Sequence, residues 1–312
     1  MRGVGVTEFG GPEALRIVDL PEPALGPGLV RIRVHAAAVN PTDTVLRGGG
    51  RASMLSDIPP PYVPGMDAAG VLAEIGEGTE TDLRVGEHVM AIVVPYGSHG
   101  AYADQIAVPA ESAVRVPAGT TDVQAATLPM NGLTARLALD LLALRPGQTL
   151  AVTGAAGAVG GYAVQLGKAE GLRVIADAAP ADEQLVKELG ADIVIARGGD
   201  FGARVREAVP GGADGVVDAA LLNELAVPAA RDGGRIATLR GFTGEAERGI
   251  TFHPVLVRSY ARERDKLDRL RQQVEDGQLT LRVAGTYPAG QAAEAHRRLE
   301  AGGTRGRLVL EF

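Results

Sequence analysis

The sequence predicts an α/β fold in which a β-rich, partly barrel-shaped region precedes a doubly wound parallel sheet. Short apolar segments separated by glycine and proline fill the first third of the chain. After about residue 120, strand patterns alternate with helical patterns, and a glycine-rich turn joins one strand to one helix. A length of 312 residues with a hydrophobic fraction of 46% provides material for more than one core.

The β-rich region is indicated by short strand patterns. Leu29–Val34 alternates apolar and basic residues, which is the period of a half-buried strand. Further strands are predicted at Val71–Ile75, Val89–Val94 and Ala113–Val116. Because breakers separate these short strands, the pattern favours antiparallel pairing and partial closure into a barrel.

The parallel sheet is indicated by five strand patterns with helical patterns between most of them. The predicted strands are Leu150–Thr153, Val174–Ala176, Ile193–Ile195, Gly215–Val217 and Ile236–Leu239. The predicted helices are Val159–Glu170, Ala181–Leu189, Phe201–Val209 and Leu221–Ala230. Such alternation is typical of a parallel sheet covered by helices on both faces. Gly171 and Gly190 stand where helix C-caps are expected.

The last part of the chain is predicted to return to the first region. Ile250–Val255 is a strand candidate, Val257–Gly277 an amphipathic helix with a solvated charged face, and Arg307–Leu310 a final strand. We therefore expect one domain from residues 1–122 and 257–312, and an inserted α/β domain from residues 123–256.

Composition argues against several classes of protein. The formal net charge of -7 argues against a nucleic-acid partner. The absence of cysteine excludes disulfides, thiol nucleophiles and cysteine-ligated zinc, and the five histidines show no paired ligand spacing, so we expect no metal site. No apolar run approaches the ~18 residues of a membrane span, and Met1–Gly11 lacks the apolar core of a signal peptide. We therefore expect a cytoplasmic protein with no membrane partner.

A glycine-rich turn is the sharpest local motif. The strand candidate ending at Thr153 is followed by Gly154, Gly157 and Gly160, and then by a helical pattern. In a strand–turn–helix unit of this kind, the first N–H groups of the helix bind a pyrophosphate. The spacing is G-x-x-G-x-x-G rather than G-x-G-x-x-G. Its place within a βαβ unit favours dinucleotide binding over tight packing alone.

The residues at the end of the next strand leave the choice between NAD and NADP open. Asp177 stands about 20 positions beyond the loop, where an acidic residue commonly bonds the ribose 2′-hydroxyl of NAD. If the strand ends at Ala178 instead, there is room for a 2′-phosphate. Lys168, on the helix after the loop, would then bind that phosphate or remain an ordinary exposed lysine.

Seven motifs in a fixed order connect the chain to a known family. They are Phe9–Glu13, Val34–Asp43, Val63–Val71, Gly86–Val89, Gly100–Ala103, Leu128–Ala135 and Gly154–Gly160. Through these motifs the whole chain resembles the zinc-free quinone oxidoreductases of the medium-chain dehydrogenase/reductase superfamily. The resemblance implies a GroES-like, partly barrel-shaped substrate domain built from both ends of the chain, with a doubly wound Rossmann domain inserted. It also implies NADPH as cofactor, with NADH still open, and a homodimer joined through the Rossmann sheets.

The same resemblance implies chemistry without zinc. The zinc branch has a cysteine ligand where this chain has Asn40, and a histidine ligand where it has Met66. Reduction of an ordinary ketone leaves a localised alkoxide that needs a Lewis acid or a proton donor. A quinone or an enone spreads the charge over a conjugated system. We therefore expect hydride transfer from NADPH to a quinone or an electron-poor C=C bond.

Three residues are catalytic candidates. By resemblance, Asn40 lies beside the nicotinamide ribose and the substrate carbonyl, where its amide would donate to the oxygen that gains charge; otherwise it is a turn residue before a proline. Asp43 either orients Asn40 or a water, or caps the following helix. Tyr62 is a candidate proton donor, although a tyrosine between prolines is more often packed. Val45 replaces a tyrosine that many of these reductases have, which favours a more apolar or bulkier substrate.

The resemblance also assigns residues to the cofactor. Thr127 and Thr134 would lie near the nicotinamide ribose and the phosphates. Gly157, Ala158 and Val159 would present backbone N–H groups to the pyrophosphate.

Two further groups are assigned at the ends of the cofactor. The residues at the nicotinamide end are Leu239, Arg240, Gly241 and Phe242, unless these form a plain βα loop. Arg305 and Arg307 would approach the adenosine phosphate, although their chance placement in an arginine-rich chain is an equal alternative.

The sequence thus predicts an NADPH-dependent quinone or enone reductase with a small-molecule substrate. An enoyl-thioester or polyketide-tailoring reductase on the same scaffold is the alternative among enzymes. A non-catalytic NADPH-binding protein, as crystallin-type relatives are, is the alternative of a different class.

Overall fold

Two sheets of opposite character organise the chain in the computed structural model, which describes residues 1–245 and 247–312. One compact unit, called the β unit, consists of Met1–Met130, Tyr260–Glu275 and Leu281–Phe312. The other, called the α/β unit, consists of Asn131–Ser259 and Asp276–Thr280. The assignment of substrate binding to the first and of nucleotide binding to the second stays a prediction.

The chain contributes strands and helices to both units. The strands are β1 (Arg2–Gly5), β2 (Arg16–Asp19), β3 (Leu29–Val39), β4 (Asp67–Ile75), β5 (His88–Ile92), β6 (Gln105–Pro109), β7 (Ala113–Arg115), β8 (Thr149–Thr153), β9 (Arg173–Ala178), β10 (Ile193–Ala196), β11 (Ala213–Asp218), β12 (Ala230–Thr238), β13 (Thr251–Pro254), β14 (Val283–Pro288) and β15 (Arg307–Glu311). The α-helices are α1 (Pro41–Arg47), α2 (Asp122–Ala125), α3 (Pro129–Leu142), α4 (Ala158–Ala169), α5 (Glu183–Glu188), α6 (Phe201–Ala208), α7 (Arg264–Glu275) and α8 (Ala292–Glu300).

The β unit is built around β3. Its sheet has the order β14-β15-β3-β4-β5-β7, and β6 pairs with the first half of β3. All pairs except β14–β15 are antiparallel, which confirms the predicted GroES-like, partly barrel-shaped sheet. The predicted strand Leu29–Val34 extends to Val39 because small residues, Ala36–Ala38, let β4 and β15 approach from either side.

The α/β unit is a doubly wound parallel sheet. Its order is β10-β9-β8-β11-β12-β13, and every pair is parallel, as the alternating patterns predicted. The strand order reverses between β8 and β11, which is the switch point where dinucleotides bind in such sheets. Gly171 and Gly190 follow α4 and α5 with φ of +75° and +103°, so both predicted C-caps are confirmed.

Two predicted helices differ from the observed elements. The segment predicted as the helix Leu221–Ala230 forms a 3₁₀ helix at Asn223–Ala229, because Pro228 cannot donate an N–H within an α-helix. The amphipathic helix predicted at Val257–Gly277 is confined to α7, after a 3₁₀ turn, and buries Leu267 and Leu270. The elements that the sequence analysis did not identify are α2, α3, α8, β1, β2, β6 and β14.

Candidate active site

A pair of buried carboxyl groups lies where β3 ends and α1 begins. The Asp43 carboxylate accepts three hydrogen bonds, from Asn40 N–H at 2.7 Å, from Gly65 N–H at 3.0 Å and from the Tyr102 hydroxyl at 3.2 Å. Asp43 therefore caps its own helix, as one interpretation of the sequence expected, and at the same time fixes the backbone of Asn40.

Asp67, the first residue of β4, forms the second half of this pair. It accepts a hydrogen bond from Asn40 Nδ2 at 2.6 Å and another from Met130 N–H at 2.5 Å. Asn40 thus connects the two acids, through its backbone N–H to Asp43 and through its amide to Asp67. Nδ2 of Asn40 also lies 3.4 Å from the carbonyl oxygen of Ala38, which is a long contact for a hydrogen bond.

Burial sets the protonation of this pair. Burial raises the pKa of Asp43 to about 6, although hydrogen bonds from Asn40, Gly65 and Tyr102 oppose the shift. Burial also raises the pKa of Asp67 to about 7, and the neighbouring charge of Asp43 adds to it. Because the two acids interact, their protons belong to the pair, which retains a proton close to neutral pH.

A chain of buried polar side chains extends from Asp43 to the C-terminal helix α8. The Tyr102 hydroxyl lies 3.2 Å from Nε2 of His296, and Nδ1 of His296 lies 3.3 Å from Nη1 of Arg47. Burial lowers the pKa of His296 to about 3, and the Arg47 charge adds to the shift, so the imidazole is neutral. Since Arg47 can only donate, Nδ1 accepts, Nε2–H donates to Tyr102, and Tyr102 donates to Asp43. Glu300 holds the other side of Arg47 at 2.5 Å.

Arg307 lies beside the acid pair. The register of β15 against β3 pairs Leu308 with Val39, which brings Arg307 next to the end of β3. Its charge lowers the pKa values of both Asp43 and Asp67, and its side chain is buried. This placement corrects the predicted contact of Arg307 with the adenosine phosphate, because the cation is buried near the carboxyl groups of its own unit.

Tyr62 has a packing role. Its hydroxyl donates to the carbonyl of Ile58 at 2.8 Å, and its ring stacks on Phe9 with centroids 5.0 Å apart. The hydroxyl hydrogen is already engaged by a backbone acceptor, so the structure does not support Tyr62 as proton donor. Thr127, predicted near the nicotinamide, is buried and donates to the carbonyl of Gln124 at 2.8 Å.

The glycine-rich turn of the α/β unit has the geometry that a phosphate loop requires. Gly154 follows β8 with φ of +64°, a conformation that favours glycine. A Cβ on Gly160 would lie 2.3 Å from the carbonyl oxygen of Gly154, so only glycine lets the first turn of α4 pack against the loop. The first N–H groups of α4, including those of Ala158 and Val159, have no acceptor within their helix. The turn therefore fits a pyrophosphate.

The carboxyl ends of β9 and β10 bring an acid and an arginine together. Asp177 is almost fully buried, accepts a hydrogen bond from the Ala155 N–H of the loop at 3.3 Å, and has its pKa raised by burial. Nε of Arg197 lies 3.7 Å from its carboxylate, yet the Arg197 side chain is 46% exposed. Sequence analysis missed Arg197. The signal that would have found it is its position two residues after the predicted strand Ile193–Ile195.

Lys168 lies at the amino ends of the strands of this sheet, opposite the carboxyl ends where Asp177 and Arg197 meet. Its Nζ contacts the carboxylate of Asp192 at 2.7 Å and the carbonyl of Leu172 at 3.2 Å. Leu172 precedes β9, so Lys168 is about 20 Å from the carboxyl end of that strand at ~3.3 Å per residue. The predicted contact with a 2′-phosphate is corrected accordingly, because α4 runs back across the sheet and ends near the amino end of β9.

The loop after β12 carries backbone strain. Arg240 adopts φ of +58°, which is unfavourable for a residue other than glycine, and Gly241 adopts +81°. Thr238 holds the loop by donating from Oγ1 to the carbonyl of Phe242 at 2.6 Å. Leu239 begins the loop, and all of these residues follow the carboxyl end of β12, at the same edge as the phosphate loop. Thr134 lies buried in α3, and Arg305 contacts the carbonyl of Thr304 at 3.4 Å; their predicted roles stay predictions.

Comparison with known proteins shows the family. The alcohol dehydrogenase GroES-like domain family matches residues 26–118, and a family described as zinc-binding dehydrogenase matches residues 189–310. A 2-haloacrylate reductase of a Burkholderia species is 31% identical over 325 residues, with 96% of each chain covered. An NADPH-dependent alkenal/one oxidoreductase of Arabidopsis thaliana is 30% identical over 314 residues, covering 97% of this chain and 78% of that one.

The chain belongs to the quinone oxidoreductase branch of the medium-chain dehydrogenase/reductase superfamily. Some relatives are much longer than their matching segment. The match covers 53% of the synaptic vesicle membrane protein VAT-1 homolog of Rattus norvegicus, at 33% identity. It covers 8% of a polyketide synthase component of Streptomyces venezuelae, at 32% identity.

Solved structures of the superfamily superpose over the whole chain. A quinone oxidoreductase from Coxiella burnetii has a TM-score of 0.88 at 26% identity, covering 100% of this chain and 99% of that one. An NAD-dependent alcohol dehydrogenase has a TM-score of 0.87 at 31% identity, with both chains fully covered. A mycobacterial protein in complex with NADPH has a TM-score of 0.86 at 28% identity, with both chains fully covered. Within the described residues, no helix is long and apolar enough to cross a membrane.

Proposed function

We propose that this protein transfers a hydride from NADPH to an electron-poor C=C bond conjugated to a carbonyl group, with quinones as a second class of acceptor. The observation that carries the proposal is the Asn40 amide held between two buried carboxyl groups. One N–H of this amide is bonded to Asp67, and the other would exchange its long contact with the Ala38 carbonyl for the substrate oxygen. With a proton on the acid pair nearby, this is enough for an acceptor that disperses its charge. Two of the relatives named above, the alkenal/one oxidoreductase and the 2-haloacrylate reductase, are named for substrates that contain such a double bond.

The residues of the α/β unit fit a nicotinamide dinucleotide. The glycine turn leaves room for a pyrophosphate beside the N–H groups at the start of α4. The switch point between β8 and β11 places this turn at the edge where doubly wound sheets bind dinucleotides. When bound, the nicotinamide would supply a hydride, which is one proton with two electrons, to the β-carbon of the acceptor.

The side chains of the β unit would stabilise the negative charge on the carbonyl oxygen and supply the proton that the α-carbon needs. As the hydride reaches the β-carbon, the electron pair of the double bond moves towards the carbonyl oxygen, and the Asn40 amide donates to that oxygen. The product then needs one proton at the α-carbon. The pair formed by Asp43 and Asp67 holds a proton near neutral pH and is a source for it, because both acids are hydrogen-bonded to Asn40.

Arg197 supports NADPH over NADH. An arginine near the carboxyl end of the second strand accommodates the 2′-phosphate in NADP-dependent Rossmann domains. Arg197 is half exposed at that place, whereas Asp177 is buried and bonded to the loop backbone. The proposal requires that the Asp177 carboxylate stays bonded to the loop backbone when a 2′-phosphate binds, because the two negative groups repel each other.

Zinc independence is a further part of the proposal. The two positions that hold zinc ligands in the zinc branch carry Asn40 and Met66, and the chain has no cysteine. Met66 is buried, and its sulfur accepts a contact from Thr42 Oγ1 at 3.3 Å. We expect chelator-treated enzyme to keep its full turnover.

The proposal is tested by measuring NADPH oxidation with matched panels of enones, 2-haloacrylates, quinones and enoyl thioesters. We expect turnover with enones and quinones. Preference for enoyl thioesters would favour the alternative reductase, which the similarity to the polyketide synthase component supports. Tight NADPH binding without turnover of any acceptor would overturn the proposal in favour of a binding protein. A homodimer joined through the Rossmann sheets stays a prediction that sedimentation would test.

A further inference from the structure

Two histidines and an aspartate meet on the β unit, away from the acid pair. His35 lies on β3, His88 begins β5, and Asp122 begins α2. Nδ1 of His35 is 2.7 Å from Oδ2 of Asp122, and Nδ1 of His88 is 2.9 Å from Oδ1 of the same carboxylate. One ligand atom from each residue lies within 4.8 Å of the other two.

The backbone fixes both histidines in this arrangement. The register between β3 and β4 shifts between Val34 and Ala36, so His35 is the extra residue of a β-bulge, a device that re-aims a side chain. A Cβ on Gly70, in β4, would lie 2.0 Å from the carbonyl oxygen of Arg33 and 2.9 Å from the backbone nitrogen of His35, so glycine is what lets β4 pack against the bulge. The His88 carbonyl accepts a hydrogen bond from Val116 N–H at 3.1 Å, which holds the start of β5 in place.

We propose that His35, His88 and Asp122 bind a divalent transition-metal ion of the zinc class. Two imidazole nitrogens and one carboxylate are donors that suit Zn²⁺, Cu²⁺ and Ni²⁺. Tetrahedral donors at a metal distance of ~2.1 Å are about 3.4 Å apart, so the nitrogens would move outward by about half an ångström. The His88 side chain is 54% exposed and has room for this movement. The same exposure leaves a coordination position for water.

This site is distinct from the acid pair and from the positions that hold zinc in the zinc branch. His35 precedes Asn40 by five residues, which is about 16 Å along β3 at ~3.3 Å per residue. A bound ion would join three elements, β3, β5 and α2, that are separate in sequence. Because it binds only the folded arrangement, it would raise the unfolding temperature without taking part in hydride transfer.

The test uses full-length, tag-free protein that has been stripped of metal with a chelator. Calorimetric titration with zinc chloride should show one strong site per chain, and zinc should raise the unfolding temperature. Electron paramagnetic resonance of the copper-loaded protein should show coupling to two nitrogens. His88→Ala should lose one of these couplings and weaken zinc binding by more than 10-fold, because a ligand contributes at least as much as the ~10–100-fold of its supporting residues. Asp122→Asn should weaken it similarly while keeping the size of the side chain.

The matched control is His253→Ala, which removes a histidine of the α/β unit that contacts Thr251 instead. It should leave the zinc affinity unchanged. The proposal is overturned if the wild-type protein takes up no zinc in the titration, or if His88→Ala binds zinc as tightly as the wild type. Since His88 is mostly exposed, its replacement should not unfold the chain, and circular dichroism checks this. None of these readouts depends on the proposed reaction.

Discussion

The candidate sites of the β unit and the α/β unit expose their polar groups to different degrees, although the α/β unit also buries carboxyl groups of its own, those of Asp177, Asp182 and Asp218. The β unit buries two carboxyl groups, a histidine and two arginines, and connects most of them to one another. The α/β unit instead leaves the N–H groups of a helix start and the side chain of Arg197 facing outwards. The first arrangement controls a proton, because burial shifts pKa values. The second binds an anion, because its donors have no partner within their own helix.

The largest expected effect is on stability, and it follows the removal of Asp43 from the buried polar groups of the β unit. Asp43→Ala leaves the Asn40 and Gly65 N–H groups and the Tyr102 hydroxyl without their acceptor. Each unsatisfied donor costs about 1–3 kcal/mol, so we expect the free energy of unfolding to fall by about 3–5 kcal/mol, measured by urea denaturation. The control Asp232→Ala, at an 80% exposed side chain, should cost little. Equal stability of the two variants would contradict the account.

The next effect is on the pH dependence of stability. The pKa of Asp67 is raised by burial to about 7, so the folded state binds its proton more tightly than the unfolded state. The stabilisation is complete below about pH 4 and is lost as the pH rises to about 7. Asp67→Asn should remove this decline, which is on the order of 2–4 kcal/mol at ~1.4 kcal/mol per pKa unit.

His296 acts in the opposite direction, so the measurement must compare variant and wild type at each pH. The pKa of His296 is lowered to about 3, and its contribution is therefore lost as the pH falls from about 6.5. The difference between Asp67→Asn and the wild type cancels this contribution. A difference that stays constant between pH 4 and pH 7 would show that Asp67 has an ordinary pKa.

A smaller effect is expected on catalysis. Asn40→Ala should lower kcat more than it raises KM, because the amide donates mainly to charge that develops in the transition state. We expect a loss of about 1–2 kcal/mol, below the ~2.7–4 kcal/mol typical of an oxyanion donor, because a conjugated acceptor spreads its charge. NADPH affinity and circular dichroism should stay nearly unchanged. Full kcat in the variant would return Asn40 to the role of a turn residue.

The smallest expected effect is on nucleotide affinity, and it concerns the outward-facing side chain of Arg197. Arg197→Ala should weaken NADPH binding by about 10-fold and leave NADH binding unchanged, the size of one exposed charge-assisted contact. Lys168→Ala is the matched control, because Lys168 is held by Asp192 at the other edge of the sheet. Fluorescence titration with both nucleotides measures the four affinities. Weaker NADPH binding in the lysine variant alone would reverse the assignment.

The two units also differed in how far the sequence predicted them. The phosphate loop is local, because Gly154, Gly157 and Gly160 lie within seven residues and their spacing reports the turn directly. The acid pair is not local. The groups that surround Asp43 come from β4, from the segment before β6, from α8 and from β15, and they are Asp67, Tyr102, His296 and Arg307. Because these segments are far apart in the sequence, no short motif predicts that they meet.

The wrong prediction for Lys168 and the missed Arg197 have the same cause, because both depend on contacts between segments that are distant in the sequence. Lys168 and Arg197 are both cations near β9, and only the direction in which α4 returns across the sheet separates them. The three residues of the proposed metal site are likewise spread over 88 positions from His35 to Asp122, and the pairing of β3 with β4 and of β4 with β5 brings the two histidines together.

The central claim is that the hydride of NADPH reaches carbon of a conjugated double bond. The most direct measurement is reduction of an α,β-unsaturated ketone with NADPH deuterated at C4 of the nicotinamide, followed by mass spectrometry and NMR of the product. The account predicts a saturated ketone with one deuterium at the β-carbon and a solvent-derived hydrogen at the α-carbon. An allylic alcohol with deuterium at the former carbonyl carbon would contradict it, since that product requires the localised alkoxide that this site is not built to stabilise.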